Sequence, residues 1–389
     1  MVLGLCLFGL AFNIYNFSTF YDEFPKNTST EYFFYVFIRY INILAFFAVV
    51  ILVLDVCRSF GVDKVENLIF NIGVCVAAYA VYVYLAQIFG LPELLPRNRM
   101  GTGGGEQSVV YTYAFHRASG SFREPSHLAE WLIVPFVLAF TRNGLNSRLG
   151  ATLIGVVILL TGSLTGIVSL VAAFAVAVIV FFVLYLLRSD VNLDHSSVMR
   201  LTVKLSLFCF ILVIVVNWIL DGLLLDVIDS RLLVVLSDGI GASNRDYTYE
   251  YFAAKNLLSL AGMGLGNPQV ELANFFGIDE VASLLNLYAN MLLSSGLFGF
   301  LFLILMLIYP LGLLVAQRAV NNKRGALFVL FVGYFAWLIA FFVHSEELSV
   351  MFATCFGLIV ARLRGLTLMQ RTKISSSSPE SRFLYGPRA

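Results

Sequence analysis

"TGIVSLVAAFAVAVIVFFVLYLL", residues 165–187, carries no charged side chain in 23 positions. At 1.5 Å of rise per residue such a helix reaches about 35 Å, enough for the roughly 30 Å hydrocarbon core of a bilayer. Its apolar residues are continuous, which excludes the alternating pattern of a transmembrane barrel strand. The rest of the chain has the same character. Of 389 residues 59% are hydrophobic and 13% charged, with 36 Phe and 18 Tyr, and the mean hydropathy is +0.87. No water-soluble fold hides that much apolar surface, whereas lipid solvates it directly. The expected class is an all-α polytopic membrane protein.

Ten apolar runs are candidate spans, near 2–20, 32–55, 66–90, 126–141, 149–163, 165–187, 202–220, 284–316, 325–343 and 347–362. "NIYNFST" dilutes the first, and the amino-terminal run reads as a retained span, not a cleaved signal. Residues 1–365 are expected to form one transmembrane domain and 366–389 a polar cytoplasmic tail, of which "ISSSSPESRFLYGPRA", residues 374–389, reads as disordered. With both termini inside, sixteen of the 25 Lys and Arg fall on the cytoplasmic side and eight on the other. The positive-inside rule favours that orientation. It puts two long loops outside, about 91–125 and 221–283. The expected location is therefore a membrane, with any site on the two loops facing outward.

A net charge of +1 gives no reason to expect nucleic acid. The five cysteines, all within or at the ends of apolar runs, form no CxxC pair and read as packing residues. No metal-ligand spacing and no P-loop is visible, so neither a metal nor a cofactor is expected.

The charge that exists is concentrated. "HRASGSFREPSHLAE", residues 116–130, holds six ionisable side chains. Pro125 suits the first turn of a helix and disfavours helical geometry at Glu124, so a helix is expected to begin there. Glu124, His127 and Glu130 then recur every three residues on one side of it. Arg117 and Arg123 lie just upstream. A solvated cap at the membrane surface would account for such a cluster, and so would a site that holds an anion beside a proton acceptor.

"HRASGSFREPSHLAEWLIVPF", then "LLTGSLTGIVSLVAAFAVAVIVFF", then "AGMGLGN" and "NLYANMLLSSGLFGFLFLILM" occur in that order over residues 116–305. Together they resemble bacterial O-antigen and capsular polysaccharide polymerases of the Wzy type. The resemblance implies a fold similar to the C-type membrane glycosyltransferases. It implies transfer of a glycan chain from undecaprenyl pyrophosphate to a sugar hydroxyl of another lipid-linked repeat unit. Donor and acceptor would both be polyprenyl-linked oligosaccharides, membrane lipids would surround the protein, and a chain-length regulator would be a further partner. The related ligases, which attach finished glycan to lipid A core or to protein, carry a histidine before the asparagine matched by Asn286. Here that residue is Leu285, which favours polymerase over ligase. A transporter of lipid-linked sugars is the alternative from a different class.

Within that reading Arg117 and Arg123 are the candidates for pyrophosphate, because a guanidinium pairs bidentately with phosphate oxygens. Arg231 and Arg245 would complete the clamp from the second loop. Glu124 is the expected base or the group that orients one, with His127 and His344 able to take the proton. Asn286 and Asn290, at i and i+4, would hydrogen-bond sugars or merely the bundle. Arg39, inside the second span, needs a partner that the sequence does not name.

Overall fold

The computed structural model describes residues 2–28, 30–92, 111–112, 115–122, 124–142, 144–186, 246–255, 260–281, 283–284, 286–316, 324–343 and 348–376, with scattered positions between 203 and 222. The described residues are helical almost throughout. In order come α1 (Val2–Tyr15), α2 (Phe17–Asp22), α3 (Tyr32–Phe60), α4 (Val62–Phe89), α5 (Pro125–Ala139), α6 (Leu145–Leu160), α7 (Leu164–Leu186), α8 (Asp246–Ala254), α9 (Asn267–Phe276), α10 (Leu287–Ala316), α11 (Arg324–Ala340) and α12 (Val350–Ser376). A two-residue antiparallel pairing, Tyr111 with His116 and Thr112 with Phe115, precedes α5. α12 runs on past residue 365 to Ser376, and 377–389 lie outside the described residues.

Four helices, Tyr32–Phe60, Val62–Phe89, Leu164–Leu184 and Leu287–Ala316, are long and apolar enough to cross a bilayer. α5, α6 and α11 are apolar but shorter. Large apolar side chains face outward, as with Ile51 and Val171, 66% and 65% exposed. Water would penalise that surface and hydrocarbon does not. The four described cysteines are free thiols inside or beside helices, and Cys209 lies outside the described residues.

α5 is the central helix. From Leu128 to Ala139 every residue except Trp131 is buried, and α4, α6, α7, α11 and α12 pack around it. Lipid gives no hydrophobic drive for helices to associate, so close approach through small residues does much of the work. A Cβ on Gly73 of α4 would sit 2.2 Å from the Pro135 side chain, and one on Gly166 of α7 would sit 2.7 Å from Ala129.

Those contacts set the relative heights of the helices. Gly73 is level with Pro135, and α4 continues sixteen residues beyond it to Phe89, whereas α5 runs only ten residues from Pro135 back to Pro125. For straight helices, α5 therefore begins about 9 Å short of the end of α4. Ile154 of α6 also lies beside Gly73, which puts the end of α6 about 15 Å short. Gly166, level with Ala129, puts the start of α7 about 12 Å short. Among the described residues three helix ends thus stop short of α4 and form a stepped floor, a recess relative to the end of α4.

Candidate functional site

The floor is closed by the stretch just before α5. Ala118 N donates to Leu160 O at 2.9 Å, and Arg117 Nε donates to Thr161 O at 2.7 Å. Both acceptors are orphan carbonyls at the end of α6, where a cation is also favoured by the helix dipole. Gly120 has φ +56°, and a Cβ there would meet the Ala80 Cβ at 3.0 Å, so only glycine lets this segment lie flat on α4. His116 is buried against the ring of Tyr84, 4.8 Å between centroids. Phe122 packs on Trp131 at 6.0 Å.

α5 begins at Pro125, as its sequence predicts. Glu124 occupies the N-cap position with extended backbone, but its side chain makes no capping hydrogen bond. It is exposed on the floor and accepts from Ser126 Oγ at 3.3 Å. His127 is half-buried one turn further in, and Glu130 is 3% exposed. The three positions descend from floor to core along one face of the helix. At the α6–α7 junction Thr161 and Ser163 are buried, and Ser163 Oγ accepts from Gly166 N at 3.2 Å, capping α7. Arg117, Glu124 and His127 therefore all lie at helix ends on this side of the bundle, Arg117 on the end of α6 and the other two at the first turn of α5. Arg123, Arg231, Arg245 and His344 lie outside the described residues.

Asn286 and Asn290 bond the bundle itself. Asn286 Oδ1 caps α10 by accepting from Ala289 N at 3.0 Å, and the buried Asn290 accepts from Ser294 Oγ at 3.2 Å.

The glycine-rich stretch before α9 forms a second polar centre. α10 breaks at Gly296, whose backbone (φ +64°, ψ −177°) is not helical. The break frees the carbonyls of Leu293 and Ser294, which accept from Met263 N and Gly264 N, both at 2.8 Å. A Cβ on Gly262 would lie 2.4 Å from Ser294 O, and one on Gly296 would lie 2.4 Å from Leu260 O, so neither position admits a larger residue. Irregular backbone among membrane helices must find its hydrogen bonds inside the protein. Asn13 supplies two, accepting from Leu265 N at 2.8 Å and donating to Leu265 O at 3.2 Å, while Tyr40 donates to the same Asn13 oxygen at 2.6 Å. Tyr32 donates to Asn267 Oδ1 at 2.8 Å. Arg39 finds a partner here: it donates to the Tyr35 hydroxyl at 3.1 Å, with its guanidinium 4.7 Å from the ring centre. Its stem packs by Gly266, the N-cap of α9.

On the described part of the second loop, the Glu271 carboxylate accepts from both the Tyr251 hydroxyl and the Lys255 ammonium. Burial, and then the hydrogen bond and charge of Glu271, push the Tyr251 hydroxyl well above its ordinary value. Among the described residues no three His, Cys, Asp or Glu side chains gather to hold a metal ion.

Sequence reasoning overlooked two features. One is the buried carboxylate of Glu130, which its i+3 relation to His127 places one turn deeper. The asparagines of "NIYNFST" read as dilution of a span, whereas Asn13 and Asn16 hold the glycine-rich segment, Asn16 donating to Met263 O at 3.2 Å. Compared with protein-family models, with curated proteins and with solved structures, the chain gives no match in any of the three.

Proposed function

We propose that this chain is a multi-pass membrane glycosyltransferase that polymerises polyprenyl-linked saccharide repeat units. The observation that carries the reading is the recess: Arg117, Glu124 and His127 lie at the end of the bundle where three helices stop short, within the stretch that resembles the polymerases. The helix order is compatible with ten spans, both termini inside and the recess opening outward.

In this mechanism the bond between the donor's anomeric carbon and its phosphate oxygen breaks, and the acceptor hydroxyl forms the new glycosidic bond. Arg117 and Arg123 hold the departing undecaprenyl pyrophosphate, whose negative charge grows as the bond opens. Glu124 aligns the acceptor hydroxyl, and its proton passes to His127 or His344. The leaving group supplies the driving force, so no nucleotide is needed. Arg231 and Arg245 remain candidates for the same anion.

A transporter of lipid-linked sugars draws support from one observation, the break in α10, since transporters build midplane sites from broken helices. At this break the packed residues are Gly262, Ser294 and Gly296, none of them ionisable, whereas the recess gathers a cation, a carboxylate and an imidazole.

Purified protein given an undecaprenyl-pyrophosphate-linked repeat unit should yield products longer than one unit. Transport across vesicles without elongation would favour the transporter. In cells lacking the protein, single-repeat chains mean polymerase, and full-length chains left on the carrier mean ligase. Cysteines at Gly103 and Gly241 should react with an impermeant thiol reagent from outside, and one at Asn322 should not; the reverse pattern would overturn the topology.

A further inference from the structure

The end of the bundle away from the recess carries its own charged cluster. Arg362 of α12 donates through Nε to Glu66 Oε1 and through Nη2 to Glu66 Oε2, both at 2.6 Å, and Nη2 also reaches Asp63 Oδ1 at 2.7 Å. Both oxygens of Glu66 are thereby engaged by one guanidinium. Arg142, just beyond the end of α5, is in a different position. Its guanidinium lies over the ring of Phe70, 4.2 Å from the centre. Its Nη2 is shut away from solvent with no hydrogen-bond partner. No hydrogen bond or salt bridge from any of its guanidinium nitrogens is found among the described residues.

A guanidinium presents five N–H donors in a rigid fork, and a buried donor left unbonded is unfavourable. The ring of Phe70 holds the fork flat but supplies no acceptor. Burial pulls the Arg142 group below its ordinary value, and the Glu66 charge opposes that only in part. Glu66 is already committed to Arg362. The surroundings favour an incoming anion, since Arg58, Lys64, Arg148 and Arg364 also lie near helix ends on this side. The described carboxylates there are Asp55, Asp63 and Glu66. Nε and Nη1 of Arg142 are not sealed in the way Nη2 is, so an anion can reach that side of the fork from outside. Directly after it, Leu145 and Leu149 on the first turns of α6 are 71% and 60% exposed, where acyl chains would lie.

We propose that Arg142 is the centre of a phosphate-binding site at this end of the bundle, and that an anionic phospholipid headgroup fills it. The phosphate oxygens would pair with the fork, the Phe70 ring would back it, and the neighbouring leucines would meet the acyl chains. This site is separate from the recess and does not depend on the glycosyltransferase reading.

The test uses the full chain, purified in detergent and delipidated, with phosphatidylglycerol, phosphatidylcholine or inorganic phosphate added. Native mass spectrometry counts retained lipid, and thermal unfolding reports protection. The wild type should retain phosphatidylglycerol over phosphatidylcholine. Arg142→Gln should bind it roughly tenfold to a hundredfold more weakly, the loss of a charge-assisted pair. Arg142→Lys should recover only part, because it lacks the fork, and the exposed control Lys26→Gln, at the other end of the bundle, should behave as wild type. Protection by phosphatidylglycerol alone assigns the site to lipid. Protection by inorganic phosphate as well, lost in Arg142→Gln, supports the site and assigns it to a soluble phosphate. Equal retention by wild type and both Arg142 variants, or no preference for phosphatidylglycerol over phosphatidylcholine, overturns it. If Arg142→Gln does not fold, the Lys variant and the choice between the two lipids still decide.

Discussion

The two ends of the bundle use scarce charge in opposite ways. At one end Arg362 and Glu66, with side chains 7% and 5% exposed, clamp α12 to the first turn of α4. Both Glu66 oxygens face the guanidinium, which also reaches Asp63. At the recess Glu124 is exposed and caps nothing, His127 is half-buried, and Arg117, also half-buried, closes the end of α6. The comparison therefore separates variants that should lower stability, variants that should lower activity alone, and Arg117, which should do both.

The largest effect should come from Glu124→Gln, which keeps shape and one acceptor oxygen but loses the charge. Chain extension should fall by about 10²–10⁴-fold, the usual scale of acid–base or alignment roles, with an unchanged unfolding midpoint. Extension at near the normal rate would reduce Glu124 to a surface residue. Arg117→Lys should lower both readouts, because Arg117 also closes the end of α6. Its activity should drop strongly while stability falls by about 1–2 kcal/mol. A stability loss without any activity loss would confine Arg117 to the cap.

Next in size is Arg362→Ala, which leaves Glu66 buried without its cation. Unfolding in detergent should register about 3–5 kcal/mol of destabilisation, and replacing both partners by Met should recover much of it. A single variant as stable as wild type would mean that the pair does not clamp the helices. Gly296→Ala forces a Cβ toward Leu260 O in a backbone region that side chains avoid. A loss of about 1–3 kcal/mol is expected, with Gly312→Ala, which meets nothing within 4 Å, as the neutral control.

The smallest effect concerns Tyr251. Its hydroxyl is pushed up in the folded state, so its contribution is fully present below the unfolded value near 10 and fades as pH rises above it. Tyr251→Phe should remove about 1 kcal/mol at neutral pH and should lose less stability than wild type on going to strongly alkaline solution. Identical alkaline profiles would show that the Glu271 contact does not govern that hydroxyl.

The helices were legible because lipid imposes a simple rule, that long uncharged runs must satisfy their backbone internally and so become helices. The start of α5 was legible because Pro125 acts on its immediate neighbours, which is a local effect. Residues 165–187 needed nothing beyond their own composition. The partners were not legible, because pairing depends on which helices lie side by side and at what height. Nothing in the order of residues brings Arg362 to Glu66, nearly three hundred positions away, whereas Tyr35, four residues before Arg39 on the same helix, is within its reach by spacing alone. The role of Asn13 depends on a glycine segment some 250 residues later being threaded beside it, possible only where Gly262 and Gly296 leave room. The recess exists because α5, α6 and α7 stop lower than α4, and that offset is set by contacts such as Gly73 on Pro135 rather than by any single run. Local chemistry decided which segments are helices and where charge gathers. Tertiary packing alone decided which charges are buried in pairs and which are left exposed at the floor.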